Sequence, residues 1–328
     1  MANVAFIPAS ATGSLDLHLD GTRTGTLDPT RLAAILATPE PAHQKYPDTW
    51  LVQTGRDLFQ LLQLTPTSLD QDRLLELDFT RLDPSSVLHT LPWELLHDGT
   101  LFLAQQAIPI IRIVRHTERK PFPPANRALS LLFQACSPEN TGAPLDFEKE
   151  ESEILTAAQV ASIDLLTEET GTLDGLDLIA QTRAGEIDAY HLTGHADLFD
   201  PHSAHQYWLP PNSAPLAKDT PVFLMENDLG HCELATATAL CDLGFRNTWP
   251  KLVFVSGCST GGQANATTPS MARALITKGA PAVLAWRRPV RDVTGHPRRQ
   301  GNLRQPRHRL CPRKGPRPCA QIPHPTRR

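Results

Sequence analysis

Cys258 closes the apolar run Leu252-Val-Phe-Val255 after one short step through Ser256 and Gly257, and Ser259, Thr260 and two glycines follow it. Upstream, Asp188-Ala-Tyr-His-Leu-Thr-Gly-His195 has the same form, an apolar run ending in glycine and histidine. A thiolate is a strong nucleophile, and a neighbouring imidazole makes it available near neutral pH. Alone, a cysteine at a strand end is more often an inert buried thiol, and a lone strand histidine a packed one. Two such residues at matched strand ends form a candidate nucleophile–base dyad. His191, four residues before His195, falls on the same strand face, lies deeper and reads as structural.

A second chemistry is written over the same residues. Gly257-Cys-Ser-Thr-Gly261 satisfies the G-x-S-x-G nucleophile elbow, with Ser259 as the nucleophile of an esterase. That fold requires an acid and then a histidine on later, separate elements. After Ser259 the first acid is Asp292, and His296 follows with no strand between them. The cysteine reading is the stronger one.

The elements that must position the dyad alternate along residues 126–292. Strands are expected at 129–135, 163–166, 187–192, 252–255 and 282–286. Helices are expected at 146–160, opened by Asp146, and at 173–184, 233–243 and 270–278, with Gly279 closing the last. Val222–Gly230 reads as a hairpin arm, and 197–221 as a long polar excursion. Such alternation predicts a mainly parallel sheet with helices on both faces, and ligands at the carboxyl ends of its strands. Leu252–Val255 suits a strand buried on both faces.

Residues 1–125 read as an accessory region of mixed α+β character. Short strands are expected near Val4–Ile7, Leu15–Leu19, Leu74–Phe79 and Ile110–Val114, with helices at 29–36 and 50–64. Pro92-Trp93-Glu94 reads as a packed tryptophan beside a locally bonded glutamate. Lys120-Pro-Phe-Pro-Pro124 is a stiff connection that marks the boundary.

Charge divides the chain again. Of 31 Lys and Arg and 35 Asp and Glu, residues 287–328 hold 13 of the bases and a single acid, Asp292. The part before is strongly acidic, which argues against nucleic acid as its partner. Residues 293–328 are rich in Arg, Pro and His and poor in apolar side chains. They read as a disordered tail with the composition of a frame translated out of register. Its His308, Cys311, Cys319 and His324 read as chance spacing, not a metal set. No stretch is apolar enough to span a bilayer, and six scattered cysteines do not form a secreted disulfide pattern, so a cytoplasmic protein with reduced thiols is expected.

Several blocks in order resemble one family. His191-Leu-Thr-Gly-His-Ala196, Val253-Phe-Val-Ser-Gly-Cys-Ser-Thr-Gly261 and Ala272-Arg-Ala-Leu-Ile-Thr-Lys-Gly-Ala-Pro-Ala-Val-Leu-Ala-Trp286 are similar to a CHAT domain. Leu91-Pro-Trp-Glu-Leu-Leu96, Leu145-Asp-Phe-Glu-Lys-Glu150 and Thr170-Gly-Thr-Leu-Asp174 extend the likeness over about 88–292. CHAT domains are caspase-like cysteine peptidases of clan CD, related to separase. The resemblance implies a three-layer α/β/α sandwich and cleavage of a protein substrate without a cofactor or metal. It implies Cys258 as nucleophile, His195 as general acid and base, and the backbone N–H groups of Cys258 and Ala196 as oxyanion donors. Asp292 would line a substrate pocket, and a partner protein would gate activity. Ala196 stands where the family commonly has glycine, and Ser259 where it often has an acid. The family fold continues beyond Asp292, so the resemblance predicts a domain shortened at its carboxyl end. The second reading of such a shortened domain is a catalytically silent interaction module.

Overall fold

Two five-stranded sheets and one of three strands organise the computed structural model of the chain. It describes residues 2–9, 14–38, 40–41, 47–65, 69, 74–114, 126–141, 147–202, 207–246, 249–258, 260–261 and 268–287. Met1–Asp292 forms one compact unit, and Val293–Arg328 is a separate unit outside the described residues. The expected connection at 120–124 and the expected helix opener Asp146 also lie outside them.

The first sheet is built from β1 (Ala2–Pro8), β2 (Leu15–Leu19), β3 (Thr22–Thr26), β4 (Leu75–Asp78) and β5 (Ile110–Ile113), in the order β3-β2-β1-β4-β5. Strands β1 and β2 pair antiparallel, as do β2 and β3, whereas β1, β4 and β5 run parallel. Asp28 caps helix α1 (Pro29–Ala37) by accepting from the Thr30 and Arg31 N–H groups, and Pro29 starts it without losing a needed donor. Helix α2 (Asp48–Leu61) turns Leu58, Phe59 and Leu61 inward. The core centres on Phe6, Phe79 and Trp93, whose rings lie 5.2–6.1 Å apart.

Trp93 is fully buried, and its indole N–H donates to Leu88 O at 2.8 Å. Glu94 accepts from its own backbone N–H, the local bond expected, and also from a partner remote in sequence. Arg112, eighteen residues on, donates to it through Nε and Nη2. A planar guanidinium reaches both carboxylate oxygens at once, which no neighbouring residue offers.

The second large sheet carries the alternating part of the chain. It comprises β6 (Ser130–Ala135), β7 (Asp164–Glu168), β8 (Ala189–Thr193), β12 (Leu252–Ser256) and β13 (Val283–Ala285), in the order β13-β12-β8-β6-β7, all parallel. Helix α3 (Phe147–Ala161) lies on one face. On the other, α4 (Leu173–Thr182), α5 (Ala237–Ala239) with its π turn through Gly244, and α6 (Met271–Thr277) pack over Leu132, Tyr190, Leu192, Val253 and Val255. This is the expected α/β/α sandwich.

Asp188 locks the register at the amino end of the central strands. Its Oδ2 accepts from Ser130 N at 2.9 Å and Arg127 Nη1 at 2.6 Å, and Lys251 Nζ stands 2.7 Å from Oδ1. Burial pushes its pKa up, but Lys251, the Ser130 N–H and Arg127 outweigh this and hold it at about 2.

Strand β12 is not buried on both faces. Val253 and Val255 are buried, but on the α3 side Leu252 is 40% exposed and, on β13, Leu284 is 56% exposed. Helix α3 packs on β7 and, through Glu150, on the end of β8.

The third sheet, β11-β10-β9, consists of β9 (His195–Leu198), β10 (Pro221–Glu226) and β11 (Cys232–Ala235). The expected hairpin arm is present as β10 and β11. The expected helix at 233–243 is overturned in its first turn, because Glu233–Ala235 completes the antiparallel pair with β10. Thr236 then caps the helix from its own side chain, accepting from Ala239 N. A local helical pattern yields here to tertiary pairing.

Candidate active site

Strands β8 and β12 run side by side in register from Ala189↔Leu252 to Thr193↔Ser256. The Gly194 N–H donates to Ser256 O at 3.4 Å, and there both chains leave the sheet. His195 lies two residues beyond Thr193, and Cys258 two residues beyond Ser256. The two candidate groups are therefore delivered to one stretch of the carboxyl edge, in step. Both are half-buried.

Their exits differ. At Gly194 the chain passes from the large sheet into β9, so His195 belongs to the small antiparallel sheet and pairs with Leu224. The argument that His191 and His195 share a strand face fails at this break. His191 remains in the large sheet, buried between Phe133 (5.4 Å, edge-on) and Phe254 (4.5 Å), with Nε2 3.2 Å from Glu150 Oε1. Glu150 Oε2 also accepts from Thr193 Oγ1 at 2.8 Å, which fastens the end of β8 to α3.

The Cys258 turn is tied from inside. The buried Thr260 hydroxyl lies 2.9 Å from both Val255 O and Gly257 O, closing the turn under Cys258. Beyond it, Gly261 N donates to Trp286 O at 2.8 Å, and Trp286 Nε1 donates to Ser256 Oγ at 3.3 Å. These bonds tie the end of β12 to the end of β13.

Phe223, which the sequence did not single out, lies at the centre of the site. It is fully buried on β10. A methyl group built on Gly194 would stand 2.9 Å from its Cε1, and one on Gly257 2.8 Å from its Cε2. The ring stands against both glycines, with Cys136 O equally close to Gly194 and Ala196 Cβ nearly as close to Gly257. The spacing Gly-His and Gly-Cys was the only trace of it in the sequence.

Ala196 occupies an extended position in β9, opposite Phe223. Phe199 N donates to Thr220 O, so hydrogen-bonded pairs in this ladder alternate from Phe199 through Asp197 to His195. Ala196 and Leu198 are the pairs between, and Pro221 opposite Leu198 has no N–H to give. The Ala196 N–H is thus turned away from β10. Its backbone is not left-handed, so the alanine is unstrained where glycine is common.

Cys258 is the one described cysteine that is not buried. Burial first, then Glu226 and Glu168, pushes Cys136 well above the usual thiol range. Burial and Glu233 push Cys232 up to about 12, and burial and Asp242 raise Cys241. Those three thiols stay protonated and inert.

Farther along the same edge, Glu168 is buried within a closed set of donors. It accepts from Gln134 Nε2, Gly171 N and both the N–H and hydroxyl of Thr170. Beyond it, an open groove of about 520 Å³ runs between Thr170–Gly175 and Glu226–Gly230, with Asp174, Glu226 and Asp228 on its walls. Asp292 and Ser259 lie outside the described residues, as does the His/Cys set of the tail. Among the described residues no three His, Cys, Asp or Glu side chains gather as a metal site, and no helix is long and apolar enough to cross a membrane.

A parallel sheet sandwiched by helices, with a histidine and a cysteine in step on its carboxyl edge, defines a caspase-like α/β sandwich. A family model, the CHAT domain, matches residues 52–296. The chain belongs to the CHAT domain family. A comparison with curated proteins gave no match.

The match begins inside α2, well before the blocks read in the sequence. The first sheet's region also holds the second: Arg273 on α6 donates to Pro84 O at 2.9 Å, and Arg287 donates to Thr90 O at 2.7 Å and Glu40 Oε1 at 3.0 Å.

Proposed function

We propose that the chain is a cysteine endopeptidase acting on a protein substrate through Cys258 and His195. The observation that carries this reading is the delivery of both residues two positions past the registered pair Thr193↔Ser256. In the reaction, His195 takes the thiol proton and the Cys258 sulfur bonds to the scissile carbonyl carbon. The oxyanion is met by the N–H groups of Cys258 and Ala196. His195 then gives its proton to the leaving amine as the C–N bond breaks, which leaves a thioester. Water attacks the thioester, His195 takes its proton, and the carboxylic product departs as the thiol is restored. No metal or cofactor enters this scheme. A partner protein gates access in the cytoplasm, and Asp292 contributes to the substrate pocket.

A second reading is a silent interaction module, favoured by the apolar side chains Leu252, Leu284 and Trp286 left exposed at the β12–β13 edge. Family membership favours the thiol over Ser259 as nucleophile. Labelling the whole chain with iodoacetamide and with a fluorophosphonate, followed by peptide mapping, separates the three. The peptidase reading expects rapid alkylation at Cys258 that slows at least tenfold in His195→Ala, together with cleavage of an unfolded protein substrate that Cys258→Ala abolishes. Slow alkylation unaffected by His195→Ala supports the module, and fluorophosphonate on Ser259 supports the esterase.

A further inference from the structure

We propose that Phe223 is a positioning residue that sets the separation of His195 and Cys258. The inference rests on the dyad reading above and concerns what holds the dyad at working distance. The two residues come from different sheets, so backbone hydrogen bonding within either sheet does not fix their distance. Register brings the chains together as far as Thr193 and Ser256, and one further bond, from Gly194 N–H to Ser256 O, follows it. Past that point one chain turns into β9 and the other into the Thr260-closed turn.

The ring of Phe223 fills the space between these exits. Its Cε1 side rests against Gly194 and its Cε2 side against Gly257, each at a distance that a single added carbon would violate. Across β9 the same residue is the partner of Ala196, at a pair position where side chains approach closely. Ala196 in turn closes on Gly257, since a methyl group built there would stand 2.9 Å from Ala196 Cβ. Phe223, Gly257 and Ala196 thus touch one another in turn, Gly194 joins them through the Phe223 ring, and His195 and Cys258 are the next residues out from the two glycines. An aromatic ring has a fixed width and few rotamers, so it is a spacer and not merely a filler. A smaller side chain would leave the two exits free to shift relative to one another, and ångström-scale misplacement is costly in such sites.

The test is the rate of Cys258 alkylation by iodoacetamide as a function of pH, in the full chain, with urea unfolding measured alongside. Wild type, His195→Ala, Phe223→Leu and Phe223→Ala are compared, with Leu176→Ala as a control of equal burial on α4. The proposal expects the Phe223→Ala midpoint to move toward that of His195→Ala by about half a pH unit or more, roughly a threefold loss of rate at neutral pH. Phe223→Leu, which keeps most of the volume and remains the informative variant if alanine prevents folding, shifts partway. Leu176→Ala loses stability without moving the midpoint. Phe223 variants that lose stability but keep the wild-type midpoint overturn the proposal and leave the dyad standing. If His195→Ala itself keeps the wild-type midpoint, the dyad reading fails and the proposal falls with it.

Discussion

Gly257 and Ala196 touch across the junction of two sheets: a methyl group on the first would lie 2.9 Å from the Cβ of the second and 2.8 Å from the Phe223 ring. Neither neighbour can retreat, because Phe223 is fully buried and Ala196 is held in β9. Gly257→Ala is therefore expected to lower stability by about 1–3 kcal/mol, as overpacking does. Adding Phe223→Leu opens space on one side, so the double variant should lose less than the sum of the two single losses. Urea denaturation of the four chains measures this coupling.

His89 gives the chain a pH-dependent stability. Burial, reinforced by Arg273 and Arg112, lowers its pKa to about 4 despite the contact of Nε2 with Asp83 O. The unfolded chain binds this proton near pH 6.5, whereas the folded chain resists it until about pH 4. Stability contributed by neutral His89 is full above pH 6.5 and is lost on acidification across that interval, by up to about 3 kcal/mol. Unfolding midpoints of wild type and His89→Gln, taken at half-unit steps from pH 7 to 4, should converge as pH falls. Parallel curves would show that His89 titrates alike in both states.

Arg287 joins the end of β13 to the first sheet's region through two acceptors, Thr90 O and Glu40 Oε1. A guanidinium fork meets both at once, and an ammonium does not. Arg287→Ala should cost about 1–2 kcal/mol and Arg287→Lys recover less than half of that. Trp286 precedes it and bonds Ser256, so limited proteolysis of Arg287→Ala is expected to cut first near the β12 and β13 ends. Cleavage first at the β2–β3 hairpin would place the weak point elsewhere.

The large sheet was legible because its signal is local. Apolar runs ending in small polar residues mark parallel strands, and Ser270 with Gly279 marks both ends of α6. His195 and Cys258 stood out for the same reason. What stayed hidden depended on partners remote in sequence. Glu233–Ala235 carries a helical pattern and becomes a strand only because β10 lies beside it. Glu94 finds Arg112, and two unremarkable glycines prove to stand against a phenylalanine on a third strand. The break at Gly194, which moves His195 into another sheet, has no periodic signature at all.

That division between sheets has a consequence for how the chain reaches its final state. His195 and Cys258 lie 63 positions apart, and β10, which must pair with β9, is formed from the stretch between them. Closing such distant contacts is slow compared with forming local ones. The β9–β10 partners are only 23–29 positions apart, whereas β8 and β12 meet across 63, so a chain on the ribosome or in refolding pairs the His195 strand before Cys258 is brought beside it. His195 and Cys258 would come together only when most of the chain before Cys258 is already folded.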